Sequence, residues 1–329
     1  MYAAVRLHFC HIAHCADGHV PWTPSRTPHA AAFQVLRKHV EVVCFLIAAL
    51  PQRGAAGTTA HKGRVPTPTD RSDDTMSKTL TEALLEQTPS PKQAPNAFEY
   101  TYHVRYSEVG HRGLMTLPAV VNAFQDCSTF QSEVLGMGMA WLKHQERAWV
   151  LTSWHIVIER YPSLCEAITV GTFATHFRGI AAKRTFYLRD NAGRLIARAD
   201  STWAFINLAT GHPCRPEPEH IEPYGTAEPL AMPEVPRRIQ LPDTMCAGVP
   251  LTVGRGLIDT NEHVNNCQYV QMALDLLPAE ATPHELRVAY HRAAVLGDEI
   301  HPRYAQEAAR AVVTLEDATG SPFAVIEIQ

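Results

Sequence analysis

The stretch Gly256–Asn266, GLIDTNEHVNN, places a carboxylate, a carboxamide and an imidazole on alternate residues and then runs into an amphipathic segment. Residues two apart in an extended chain point the same way, so Asp259, Asn261 and His263 are expected to converge. A helix after them would bring unpaired backbone N–H groups and a positive dipole end to the same place. These are the parts of a hydrolytic site.

Each residue of the stretch suits one role in such a site. His263 is the candidate general base, because an imidazole titrates near neutral pH. Asp259 would orient the imidazole or stabilise its protonated form, and Asn261 would hold a carbonyl oxygen or a water. The N–H groups of Val264, Asn265 and Asn266 would stabilise an oxyanion.

Other interpretations of the stretch stay open on spacing alone. Asp and Asn also favour turns and helix caps. A calcium loop uses alternate oxygen ligands, but the Gly and terminal Glu of an EF-hand are missing here. Zinc would need further ligands, for which His284 and His291 are the nearby residues.

The surroundings of the stretch occur twice in the chain. The segment Val109–Leu114, VGHRGL, is similar to Val253–Leu257, VGRGL, and each precedes a predicted helix. The predicted helices cover Pro118–Leu135 and His263–Leu277. Runs with strand character surround the first helix: Tyr100–Tyr106, Trp149–Glu159, Ile168–Phe177, Ala182–Arg189 and Leu195–Asn207. A helix followed by antiparallel strands, present twice, predicts a duplicated α+β unit whose sheet wraps the helix.

Composition limits the class of protein. The chain has 329 residues, of which 46% are hydrophobic and 19% charged, as in a globular protein. Its net charge of −4 argues against nucleic acid as the main partner, but leaves room for a local basic patch. The cysteines are scattered, with no CxxC pair and no metal-ligand spacing, so we expect buried free thiols, and no membrane span is evident.

The chain divides into segments of different character. Residues 1–95 are rich in His, Ala, Pro and Thr and are expected to be a disordered extension, an organelle-targeting peptide or sequence upstream of a true start at Met76. Residues 96–222 form the predicted first domain. Residues 223–250 are a proline-rich linker, and residues 251–329 form the second domain.

Residues 259–270, DTNEHVNNCQYV, resemble the Asp-x-Asn-x-His-Val-Asn-Asn-x-x-Tyr segment of acyl-ACP thioesterases of the plant FatA/FatB type and their bacterial relatives. Two first-half segments agree with the same family. They are Arg105–Gly110, RYSEVG, and Trp154–Pro162, WHIVIERYP. The resemblance covers roughly residues 98–329, and the combination of the three segments is what makes it specific to this family.

The resemblance implies two tandem hot-dog domains, each a long helix wrapped by an antiparallel sheet. It implies hydrolysis of the thioester that joins a fatty acyl chain to the phosphopantetheine of acyl carrier protein, without a metal or organic cofactor. Asp259, Asn261 and His263 match the catalytic positions of the family, in the second domain. The first domain would then hold the acyl chain.

One position departs from the family pattern. The family carries a catalytic Glu in a Tyr-x-x-Glu segment after the second helix, and here Tyr290–Ala294 reads YHRAA, with Ala293 in place of Glu. Either Asp259 and His263 carry out the reaction alone, or a neighbour such as His291 assists, or the enzyme is slow. The substitution also makes a non-hydrolytic acyl-ACP or acyl-CoA binding protein an alternative function, and an acyl-CoA thioesterase is the other alternative.

The remaining predictions concern the pocket, the partner and the location. Trp154 and Trp203 are candidates for lining the acyl pocket, although strand aromatics are often plain core. Four cations are candidates for docking acyl carrier protein: Arg178, Lys183, Arg184 and Arg189. We expect a cytoplasmic protein, with a plastid as the alternative if residues 1–95 are a transit peptide, and a possible homodimer.

Overall fold

The computed structural model describes residues 96–278, 281–307 and 309–329. The predictions for residues 1–95 lie outside these ranges. Within them, no helix is long and apolar enough to cross a membrane.

The first half contains a long helix and the strands that surround it. Helix α1 covers Leu117–Val134, and the short helix α2 covers Met139–His144. The strands are β1 Phe98–His103, β2 Arg147–Ile158, β3 Ala167–Arg178, β4 Ala181–Asp190, β5 Leu195–Asn207 and β6 His212–Pro213. These bounds agree with the predicted elements to within a few residues.

Local sequence explains where α1 begins and ends. The Thr116 side chain accepts the Ala119 N–H at 3.3 Å, which caps the first turn, and Pro118 stands in that turn, where its missing N–H costs nothing. Gly136 has a φ of 74°, a conformation that glycine adopts without strain and that ends the helix. The buried face carries Phe124, whose ring lies 5.4 Å from that of Phe186 on β4. The apolar face of α1 therefore packs on the sheet.

The second half repeats this arrangement with a shorter helix. Helix α3 covers Asn266–Leu274. The strands are β7 Cys246–Ala247, β8 Leu251–Thr252, β9 Glu285–Tyr290, β10 Glu299–Glu307, β11 Arg310–Glu316 and β12 Pro322–Ile328. The predicted start of the helix at His263 is wrong, because His263 and Val264 form backbone bridges to Val295 and Ile258.

The described strands form one sheet that runs through both halves. Its order is β1-β3-β4-β5-β2-β9-β12-β11-β10-β7, with β6 beside β5 and β8 beside β10. Antiparallel pairing of β2 with β9 joins the halves, and there Trp154 lies opposite Val288. In the first half, the strand pairs β1–β3, β3–β4 and β4–β5 are antiparallel, as predicted. The α+β class and the wrapped helix are thus confirmed, and the pairing of β2 with β9 brings the two helices to the same face, where they contact each other.

Candidate active site

The stretch from Asp259 to His263 is a tight turn. Oδ1 of Asp259 accepts the N–H groups of Asn261 at 2.8 Å and of His263 at 3.4 Å, and the Asp259 N–H donates to the His263 carbonyl at 2.8 Å. Glu262 has a φ of 61°, a region that non-glycine residues enter rarely and at a cost. The predicted extended geometry is therefore wrong, and the turn interpretation describes the backbone. The three side chains nevertheless line one cavity.

His263 is held in a protected position. Its side chain lies at the cavity wall, and the residue is only 8% exposed. Burial lowers the pKa of its imidazole below the ordinary value, while the charges of Asp259 and Glu262 act in the opposite direction. The ring is consequently neutral near pH 7 and can accept a proton.

Asp259 acts on His263 through charge and through the backbone. Its carboxylate is bonded to main-chain N–H groups of the turn, and among the described residues no hydrogen bond joins it to the His263 ring. Asp259 thus shapes the turn and raises the proton affinity of the imidazole from a distance.

Two of the three predicted oxyanion donors are already used. The Val264 N–H donates to the Ala294 carbonyl and the Asn265 N–H to the Leu257 carbonyl, both at 2.9 Å. Asn265 then caps α3, because its Oδ1 accepts the Cys267 N–H at 3.0 Å. None of the described groups accepts the N–H of Asn266, the first residue of the helix. The N–H groups of Val264 and Asn265 are therefore not available to an oxyanion. The N–H of Asn266 remains as the candidate donor.

A cavity of about 760 Å³ extends from this turn into the first half. Its second-half wall includes Asp259, Asn261, His263 and Ala293. Its first-half wall includes one face of α1, part of α2 and residues on the surrounding strands, among them Trp149, Val150, Leu151, Ala174, Ala182 and Trp203. A partly apolar cavity with an imidazole in its wall suits a ligand with a hydrocarbon chain and one reactive end.

The structure places some of the residues predicted for the acyl pocket and the reaction in the cavity wall and others outside it. Trp203 lines the cavity, and its indole N–H donates to Ser201 Oγ at 2.7 Å. Trp154 is 2% exposed, packs on Phe124 and Phe186, and belongs to the core, not to the cavity wall. His291 does not line the cavity, whereas Ala293 does. A direct assisting role for His291 therefore finds no support in its position.

The four predicted docking cations do not share a surface. Arg178 and Lys183 are exposed, and Arg189 is half-exposed and pairs with Glu99 at 3.7 Å. Arg184 is 7% exposed, and its guanidinium donates to Gln131 and Thr172 and lies 5.3 Å from the Tyr224 ring centre. Alternate strand residues face opposite sides of the sheet, and this turns Arg184 inward. Arg184 is therefore no longer a candidate for docking acyl carrier protein.

Sequence reasoning missed the polar face of α1. Asn122, Gln125, Asp126 and Thr129 all line the cavity, and helix positions three or four residues apart lie on one side. The same spacing is visible in the sequence as a polar stripe beside the apolar core positions of the helix. In the described part of the chain, no group of three or more His, Cys, Asp or Glu side chains is placed to hold a metal ion.

Comparison with known protein families gives two matches in the same order as the two halves. The acyl-ACP thioesterase N-terminal domain matches residues 95–224, and the acyl-ACP thioesterase C-terminal domain matches residues 248–326. Together these matches cover more than half of the chain.

Relatives and solved structures agree with the family matches. Oleoyl-acyl carrier protein thioesterase 2, chloroplastic, of Arabidopsis thaliana is 28% identical over 210 residues, which is 58% of this chain and 57% of that protein. Palmitoyl-acyl carrier protein thioesterase, chloroplastic, of Cuphea hookeriana is 23% identical over 199 residues, 56% of this chain and 47% of that protein. The chain spans about half the length of the curated relatives it matches.

Two solved structures share the fold. An acyl-ACP thioesterase from Bacteroides thetaiotaomicron is 26% identical with a TM-score of 0.66, covering 71% of this chain and 97% of that one. The 12:0-ACP thioesterase from Umbellularia californica is 20% identical with a TM-score of 0.63, covering 71% of this chain and 96% of that one. The likeness extends over both halves and identifies the architecture as a double hot-dog fold.

Proposed function

Since the chain belongs to the acyl-ACP thioesterase family, we propose that it hydrolyses the thioester of fatty acyl-[acyl carrier protein] and releases the free fatty acid. One observation carries the proposal. The cavity that begins at Asp259, Asn261 and His263 continues along α1 of the first half, so a chain bound there presents its thioester to the imidazole. In this reading residues 96–222 hold the acyl chain and residues 251–329 carry the chemistry.

The reaction proceeds by direct attack of water on the thioester carbonyl. Neutral His263 removes a proton from the water as its oxygen bonds to the carbonyl carbon. The resulting oxyanion accepts hydrogen bonds from the Asn266 N–H and the Asn261 carboxamide. When the C–S bond breaks, the protonated imidazole returns its proton to the leaving thiolate, which leaves a carboxylic acid and the free thiol of the carrier.

The remaining residues of the site support the imidazole. The negative charge of Asp259 stabilises the imidazolium that forms during the attack. Ala293 has no group that can orient water, so the work falls on Asp259, Asn261 and His263. This departure is the specific reason to keep a second candidate function, an acyl-binding protein without turnover.

The proposed partner is acyl carrier protein with its phosphopantetheine-linked chain. Arg178 and Lys183 are exposed cations on β3 and β4, and Arg189 is half-exposed on β4. These three cations are the remaining docking candidates for an acidic carrier, because opposite charges steer association.

Replacing both Arg178 and Lys183 with Ser should raise KM for acyl-ACP. KM for an acyl-pantetheine thioester, which lacks the carrier protein, should stay unchanged.

The decisive experiment measures release of free thiol from acyl-ACP and from acyl-CoA at several chain lengths. Faster release from acyl-ACP supports the proposal, and preference for acyl-CoA assigns the protein to acyl-CoA hydrolysis. Tight binding of acyl-ACP without thiol release identifies the binding protein. Absence of both binding and release refutes the proposal.

The pH dependence provides a second test. Neutral imidazole is the active base, so kcat/KM should rise with pH through the pKa of His263, and burial should place this rise below pH 6.5. The Asp259 charge raises that pKa, so Asp259→Asn should move the rise to still lower pH while its oxygen keeps accepting the turn N–H groups. A rise above pH 6.5, or one that moves upward in Asp259→Asn, would contradict the assignment of His263.

We place the reaction in the cytoplasm, with a plastid as the alternative because the plant relatives named above are chloroplastic. Amino-terminal sequencing of the protein isolated from its native cells distinguishes the two locations. A first residue at Met76 favours the cytoplasm, and a cut within residues 1–95 at another position favours a transit peptide.

A further inference from the structure

We propose that Gln125, on the first-half helix α1, is a positioning residue for the reaction and holds Asn266 where its N–H receives the oxyanion. The inference rests on the proposed function. It makes the active centre a composite of both halves, because Gln125 and Asn266 lie 141 residues apart in the sequence.

The contacts of Gln125 carry the inference. Its Oε1 accepts the Asn266 Nδ2–H at 2.8 Å, and its Nε2 donates to Asn265 Oδ1 at 3.4 Å. A further 3.4 Å contact from Nε2 to Asn122 Oδ1 fixes the carboxamide against its own helix. One side chain therefore reaches both residues that begin α3.

Asn266 is held on two sides by these contacts. Its carbonyl accepts the Tyr290 hydroxyl at 3.0 Å, and its side chain is held by Gln125. Its backbone N–H alone has no acceptor among the described residues. Two anchors thus fix the direction in which this donor points, and an oxyanion donor acts only at a defined position.

Gln125 also lines the cavity that the acyl chain would occupy. The same face of α1 thus touches the chain and the start of the catalytic helix. A donor that is misplaced by about 1 Å can lose about a hundredfold in rate, so loss of one anchor is expected to be visible in kcat.

The test replaces Gln125 with Met, which preserves the length of the side chain and removes its polar atoms. We expect kcat for acyl-ACP hydrolysis to fall about tenfold to a hundredfold, because the lost hydrogen bonds serve the transition state. KM should change much less, because Met keeps a side chain of similar length in the cavity wall. Gln271→Met is the matched control. Gln271 is an exposed carboxamide on α3, bonded to Asp275 at 2.7 Å and outside the cavity, and its replacement should leave kcat unchanged.

A double-mutant cycle separates positioning from general support of the fold. Asn266→Ala removes the same hydrogen bond from the other side, keeps the backbone N–H, and serves as the test if Gln125→Met does not fold. The double variant should be no slower than the slower single variant, whereas losses that multiply would overturn the coupling.

The outcomes distinguish this inference from the proposed function. A wild-type protein that releases no thiol from any acyl thioester refutes the function and this role with it. A wild-type protein that turns over, together with an unchanged Gln125→Met variant, refutes the positioning role alone. A fall in kcat matched by an equal fall in the amount of folded protein also refutes it.

Discussion

Replacing His263 with Ala is expected to lower kcat/KM for acyl-ACP hydrolysis by about 10³-fold, within the range typical of a general base. His263 is the imidazole that lines the cavity next to Asp259 and Asn261, and its lowered pKa keeps it neutral at the working pH. Without it, the attacking water loses the imidazole that accepts its proton, and Ala293 offers no carboxylate in its place. Substrate binding should change little, because the proposed binding site of the acyl chain lies in the first half.

His291→Ala is the matched control for this prediction. Burial lowers the pKa of His291 as it does that of His263, but His291 does not line the cavity. The control variant should therefore keep most of the wild-type rate. Thiol release measured for both variants, with thermal unfolding to confirm that they are folded, decides the matter: equal losses would remove His263 from its role.

Replacing Glu327 with Ala is expected to lower the free energy of unfolding by about 3–5 kcal/mol, the usual cost of removing one member of a buried ion pair. The Glu327 side chain is only 5% exposed and accepts hydrogen bonds from Arg287 at 2.9 Å and from Arg310 at 2.6 Å. Arg287 is itself 9% exposed in its side chain. The variant therefore leaves a guanidinium in the interior without its counter-charge.

Glu307→Ala tests whether burial is the cause. Glu307 also pairs with Arg310, at 3.6 Å, but its side chain is 56% exposed. An exposed pair contributes about 0–1 kcal/mol, so this variant should unfold close to the wild type in urea. Similar losses in the two variants would contradict the assignment of the cost to an unpaired buried charge.

The carboxyl group of Glu327 also predicts how the stability of the fold depends on pH. Burial by itself would raise the pKa of Glu327, but the hydrogen bonds from Arg310 and Arg287 outweigh it and hold the pKa below the ordinary 4.5. A carboxyl whose pKa is lower in the folded state stabilises the fold above the unfolded-state pKa and loses that contribution as the pH falls through the folded-state value. The stability difference between wild type and Glu327→Ala should thus be full at neutral pH and shrink in acid.

Much of the fold could be predicted from local signals. The helix Leu117–Val134 follows from the apolar period, with Pro118 in its first turn and Gly136 after its end. The strand Leu195–Asn207 matches its predicted bounds, and the turn Asp190–Gly193 before it marks where it starts. Asp259, Asn261 and His263 line one cavity, and the backbone between them is a turn instead of the predicted extended strand.

The failures have a common cause. Arg184 and Lys183 are neighbours in the sequence, yet one lies in the interior and the other is exposed, and only packing reveals which face of β4 meets α1. Trp154 and Trp203 lie on paired strands, yet only Trp203 lines the cavity. Residue type alone does not distinguish the two sides of a strand.

Most helices and strands, the duplication and the family could be predicted from periodicity, from proline and glycine positions and from short motifs. Packing of the two halves sets which backbone N–H at the start of α3 has no acceptor among the described residues. It also decided that Gln125 of the first half meets Asn266 of the second. These depend on hydrogen bonds between residues far apart in the chain, and such bonds are set by how the two halves pack on the shared sheet.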